Sequence, residues 1–144
     1  NSVICSSLTA RAAVASAVAL EESAGSWQSQ ADLNRAMIDQ VRSKLLSMNI
    51  VCAGDPDNRL PHVLTFTITG AAGGALVTEL DTRGISVASG SACAADTRMP
   101  SHVLHAIGLP NDASIRISLP PDCSEETINL FLAELPSALD AVTS

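Results

Sequence analysis

Two short stretches, Val63–Ile68 and residues 114–119, alternate side-chain character with a period of two, and they constrain the fold more than anything else in the chain. In the first, Leu64, Phe66 and Ile68 fall on one face and Val63, Thr65 and Thr67 on the other. In the second, Ile115, Ile117 and Leu119 oppose Ser114, Arg116 and Ser118. Successive side chains of a strand point to opposite faces, so each stretch reads as a strand with one face buried. The apolar face of such a strand needs a cover, and the intervening segments supply helices to provide it.

Residues 8–24 are Ala-rich and apolar around much of a helical circumference, which predicts a buried helix broken at Gly25-Ser26. A second helix follows, capped by Ser29 or Asp32, with Leu33, Met37, Val41, Leu45 and Met48 as its apolar stripe. Ile50-Val51-Cys52 is a short strand candidate and Gly54-Asp55-Pro56-Asp57-Asn58 a turn. The glycines at 70–74 lead into a helix that reaches about Arg83 and stops at Gly84, and residues 85–88 read as a strand. A loop of small residues follows, then a short helix opened by Pro100 and closed by Gly108. The last helix starts near Glu125, capped by Asp122 or Ser124. It buries Ile128, Phe131, Leu132, Leu135 and Leu139, with Pro136 kinking or restarting it. The expected fold is α/β (α+β): a small three- to four-stranded sheet with helices packed on one face.

The formal net charge of −7 and the single lysine, Lys44, argue against a nucleic-acid surface or an anionic membrane as partner. No run of about 20 uncharged apolar residues exists, so no span of a bilayer is expected. The stretch of residues 3–20 carries Arg11 and lacks a basic lead-in, a poor match to a signal peptide. The four cysteines, Cys5, Cys52, Cys93 and Cys123, lie 30 to 47 residues apart with no Cys-x-x-Cys pair. That spacing speaks against a zinc site, and reduced thiols in the cytoplasm are the expected state. The chain enters a helical pattern almost at Asn1, which suggests a piece of something longer.

Cys93 sits among Gly90, Ser91, Ala92, Ala94 and Ala95. Small neighbours leave a sulfur accessible and the backbone free to move, as a nucleophilic or sulfur-relaying thiol requires; an inert loop cysteine would look the same. Arg116 lies on the polar side of its strand between two serines. A guanidinium on a rigid strand can grip a carboxylate at two points, or simply pair with a local Asp or Glu. His62, His102 and His105 have no acidic partner at helical spacing and read as surface or capping residues. Gly70-Ala-Ala-Gly-Gly lacks the pattern of either phosphate-binding loop and reads as a turn. No metal site is expected.

Taken in order, four blocks resemble the small domain of cysteine desulfurases of the NifS/IscS-like group, within the class V aminotransferase family. Arg59-Leu60-Pro61 with the strand after it resembles the opening of that domain. The run from Leu80 through Asp81-Thr82-Arg83-Gly84 to Ser89-Gly90-Ser91-Ala92-Cys93 resembles its helix, strand and catalytic loop. Pro100 to Leu109 is similar to the helix after the loop, and Ile115-Arg116-Ile117-Ser118-Leu119 to the substrate-binding strand.

The resemblance implies residues 1–49 as connecting helices from a missing large domain and 50–144 as the small domain that carries the catalytic-cysteine loop. It implies pyridoxal phosphate as electron sink, L-cysteine as substrate with its carboxylate on Arg116, and a persulfide on Cys93 with release of alanine. It also implies transfer of that sulfur to an iron–sulfur scaffold or other acceptor protein, and a homodimer in the complete enzyme. The family's Schiff-base lysine, in a His-Lys motif of the large domain, has no counterpart here, so no cofactor-binding residue is expected in this chain and the chain alone should be inactive. Leu119-Pro120-Pro121 replaces the glycine more usual after the strand. Two other readings share these residues: a non-enzymatic sulfur-carrier or docking module, and a fragment of another fold-type I enzyme such as an aminotransferase.

Overall fold

The computed structural model describes residues 2–70, 72–89, 106, 108–109 and 113–143, which fall into two compact units, Asn1–Leu33 and Asn34–Ser144. Helix α1 spans Ser2–Ser47 and contributes to both.

In the first unit α1 is the whole structure. The helix runs through Gly25, where a break was expected, because an interior glycine costs only about 1 kcal/mol relative to alanine and removes no hydrogen bond. The residues expected to cap a new helix bond inside the old one instead. Ser29 Oγ donates to the Ser26 carbonyl at 3.0 Å, and Gln28 Nε2 donates to Asp32 Oδ1 at 3.3 Å. The expected burial of this helix also fails. Val14, Val18, Leu20 and Trp27 are 64, 51, 71 and 62% exposed, since the unit holds no second element to cover them.

The second unit carries the core. Strands β1 (Val51–Cys52), β2 (Val63–Ile68), β3 (Ala88–Ser89) and β4 (Ala113–Ser118) form an antiparallel sheet in the order β1-β2-β4-β3. Helix α2 (Gly73–Thr82) connects β2 to β3, and α3 (Glu125–Thr143) follows β4. The expected mixed fold with a small sheet is what forms. Leu64 pairs with Ile117 and Phe66 with Ile115, so the apolar faces foreseen for the two long strands coincide. They bury against Met37, Ile38, Val41 and Leu45 of α1, Leu76 and Leu80 of α2, and the α3 stripe of Ile128, Phe131, Leu135 and Leu139. Each such side chain contributes roughly 1.5–3 kcal/mol by leaving water. Leu33, expected in the α1 stripe, is 59% exposed and lies in the first unit, outside the core cluster.

Two helices end by the same device. Asn49 (φ +59) and Gly84 (φ +77) take the left-handed conformation. Ile50 N–H then bonds back to the Leu45 carbonyl at 3.0 Å, and Ile85 N–H to Leu80 at 2.9 Å. Each isoleucine packs against the core, the apolar contact that accompanies this type of cap. At the start of α3, Ser124 Oγ accepts the Thr127 N–H at 3.3 Å, so Ser124 is the side-chain cap. That helix continues through Pro136 without restarting. The turn at residues 54–58 is held by Asp55 Oδ1, which accepts the N–H groups of Asp57 and Asn58 at 2.8 and 2.7 Å. These bonds, with a weaker pull from Arg42, keep its carboxyl below the usual range.

Strand β3 pairs only at Ala88 and Ser89, later than the expected residues 85–88, because Ile85 closes the α2 cap and the chain meets β4 only at Ala88. The short helix expected after Pro100 falls largely outside the described residues, although Gly108 has the positive φ (+74) that a closing glycine takes.

Candidate functional site

The register of the sheet builds the candidate site. Residues directly opposite in an antiparallel ladder share a face. Thr65 of β2, Arg116 of β4 and Ala88 of β3 therefore form one row on the face opposite the core. Arg116 and Ser118 on that face are exposed, while Ser114, Thr65 and Ala88 are half-buried. Small residues on both sides of Arg116 leave its guanidinium room to reach outward. A planar cation on the middle of a three-strand row is suited to two parallel hydrogen bonds to a carboxylate. Thr67, next along the face, is buried and aims Oγ1 at the Val51 carbonyl, 3.5 Å away.

Ala88 and Ser89 are also the last described residues before Gly90-Ser91-Ala92-Cys93. Cys93 itself lies outside the described residues, as do Arg98, His102 and His105.

The two thiols whose surroundings are described are held above the usual cysteine range. Burial pushes the Cys52 thiol up, partly offset by the Arg42 guanidinium. Burial, reinforced by the Asp122 carboxylate, pushes Cys123 up as well. The thiolate is the reactive form, so both are held in the inert one at neutral pH. His62 contributes its carbonyl, which accepts the Leu119 N–H at 2.9 Å and continues the β2–β4 pairing past the strand end.

Pyridoxal phosphate does not fit the described residues. A lysine that forms a Schiff base is activated by desolvation or a neighbouring cation, whereas Lys44 is exposed near the end of α1. Among the described residues no group of three or more His, Cys, Asp or Glu is placed to hold a metal ion. No helix among them is long and apolar enough to cross a membrane.

Two arginine networks join helically spaced residues to partners far off in the sequence. Arg83 joins Glu79 of α2 to Glu134 and Ser137 of α3. Arg59 pairs with Asp39 of α1, and Arg35 donates to the Asp57 and Arg59 carbonyls at 3.3 Å, which ties the loop before β2 to the helix. Arg35 and Asp39 lie on one helical face, which was readable from sequence; their partners lie 20 to 24 residues away and were not.

Comparison with known proteins identifies the family and the fold. Residues 7–131 match the aminotransferase class-V family model. The chain is 34% identical over 111 residues to a cysteine desulfurase IscS of Clostridium botulinum, covering 75% of this chain and 28% of that protein. It is 34% identical over 106 residues to the cysteine desulfurase NifS of Azotobacter vinelandii, covering 70% of this chain and 26% of that one. A solved NifS-like protein shares the fold with a TM-score of 0.74 at 23% identity, over 88% of this chain and 32% of the other. The chain thus spans little more than a quarter of the length of these two curated relatives.

Proposed function

Because this chain belongs to the aminotransferase class-V family, we propose that the complete protein is a cysteine desulfurase of the NifS/IscS kind, which moves sulfur from L-cysteine onto Cys93 and releases L-alanine. The observation that carries the reading is the row Thr65–Arg116–Ala88. It sets an exposed guanidinium beside β3, whose last residue, Ser89, precedes Cys93 by four positions in the sequence.

In this reading Arg116 holds the substrate carboxylate and so fixes the substrate's orientation. The Cys93 thiolate attacks the substrate sulfur: an S–S bond forms, the carbon–sulfur bond breaks, and the carbon takes up a proton. Thiol plus cysteine become persulfide plus alanine, with no outside oxidant. Pyridoxal phosphate supplies the electron sink for this chemistry and is held by polypeptide beyond this chain. This chain alone is inactive on the same reading.

The resemblance extends the proposal to a homodimer in the cytoplasm that passes its sulfur to an iron–sulfur scaffold or another acceptor protein. The test is Cys93→Ala in the full-length protein, with alanine release and persulfide both measured. Loss of both is expected; undiminished alanine release from cysteine would sink the assignment.

A further inference from the structure

Acids outnumber lysines and arginines in this chain by 15 to 8, so carboxylates are in surplus. Two arginines of the second unit have taken them: Arg59 pairs with Asp39, and Arg83 with Glu79 and Glu134. Arg116 has a different setting. It is exposed, and the register surrounds it with small, uncharged side chains. Thr65 lies across the ladder on one side and Ala88 on the other, while Ser114 and Ser118 flank it along β4 on the same face. None of the residues that make up β2, β3 and β4 is an acid.

Ala88 is the informative neighbour. Side chains directly opposite in an antiparallel ladder have Cβ atoms about 4.5–5.5 Å apart, close enough for opposite charges to pair. An acid at position 88 would reach the Arg116 guanidinium, as Glu79 and Glu134 reach Arg83. A tethered carboxylate acts at an effective concentration of about millimolar or more, and so competes with any carboxylate arriving from solution. A methyl group can neither compete for the guanidinium nor cover it.

We infer that Ala88 is a positioning residue for Arg116: its small, uncharged side chain leaves the guanidinium uncommitted to the fold and open to the carboxylate of a bound amino acid. The inference rests on the reading of Arg116 as the carboxylate anchor. It makes carboxylate selectivity the property of a register pair, in which Arg116 supplies two parallel hydrogen bonds and Ala88 keeps them available.

The test uses the full-length holoenzyme with Ala88→Glu, Ala88→Gln and Ala88→Glu combined with Arg116→Ala. The measurements are KM and kcat for L-cysteine and the thermal midpoint. Ala88→Glu is expected to raise KM about threefold to tenfold with kcat changed less than about twofold, as loss of a contact made equally in ground and transition states requires. Ala88→Gln, equal in size but uncharged, should raise KM less than about twofold. In the Arg116→Ala background Ala88→Glu should add less than about twofold, because its effect runs through the guanidinium. Equal effects of Glu and Gln at position 88 would overturn the inference, as would a KM penalty that persists in full without the arginine. If Ala88→Glu does not fold, Ser118→Glu carries the test from an exposed position on the same face, and an unchanged KM there overturns it. Failure of the underlying reading is separable, because Arg116→Ala alone would then leave KM unmoved.

Discussion

Arg116 of β4 stands directly opposite Ala88 of β3 in the ladder, with Thr65 of β2 opposite it on the other side. A charge-assisted carboxylate contact is worth about 1.5–3 kcal/mol, so Arg116→Ala in the full-length protein should raise the KM for cysteine roughly tenfold to a hundredfold. Arg116→Lys should recover only part of this, since an ammonium cannot make the bidentate contact. Steady-state kinetics check both, and an unmoved KM removes Arg116 as the carboxylate anchor.

The thiols should separate by reactivity. Cys52 and Cys123 have thiols pushed upward by burial, so their thiolate fraction at neutral pH is below that of an ordinary cysteine. Alkylation at pH 7 followed by peptide mapping should label Cys93 first. Labelling of Cys52 and Cys123 should rise only at pH values above those at which an ordinary thiol reacts. Preferential labelling of Cys52 at pH 7 would contradict this.

Phe66 is fully buried and pairs with Cys52 on one side and Ile115 on the other. Phe66→Ala should cost about 3–5 kcal/mol, the sum of lost transfer energy and a cavity in the middle of the sheet. Denaturant unfolding of the full-length protein measures it. A loss under about 1 kcal/mol would mean that the site collapses around the gap.

Asn49 holds a left-handed conformation at the end of α1. Asn49→Gly should stabilise by a few tenths of a kcal/mol up to about 1, and Asn49→Val should destabilise by about 1–2 kcal/mol. Opposite shifts of the denaturation midpoint are the readout.

What was legible in the sequence was local. The period-two alternation of β2 and β4, the α3 stripe and the glycine stop of α2 are each written within a few residues of the chain. The strands' partners were not: Thr65 and Ala88 become neighbours of Arg116 only through register. Gly25 misled because a glycine weakens a helix without removing a hydrogen bond. Residues 8–24 misled because apolar periodicity says that a face can be buried, and the first unit contains nothing to bury it. The Arg83 clasp joins residues 51 and 54 positions apart, beyond any local pattern. The roles of Cys93 and Arg116 come from resemblance and chemistry; the sheet adds the row in which Arg116 sits.

Trp27 is the only tryptophan in a chain without tyrosine, and it projects from α1 well away in sequence from every residue of the core cluster. This chain therefore carries a single intrinsic fluorophore, exposed on the first unit. Emission at the red, water-exposed end of the tryptophan range is expected from this chain, and a blue shift on addition of any binding partner would report contact along residues 2–33. Unfolding of the sheet is followed by circular dichroism.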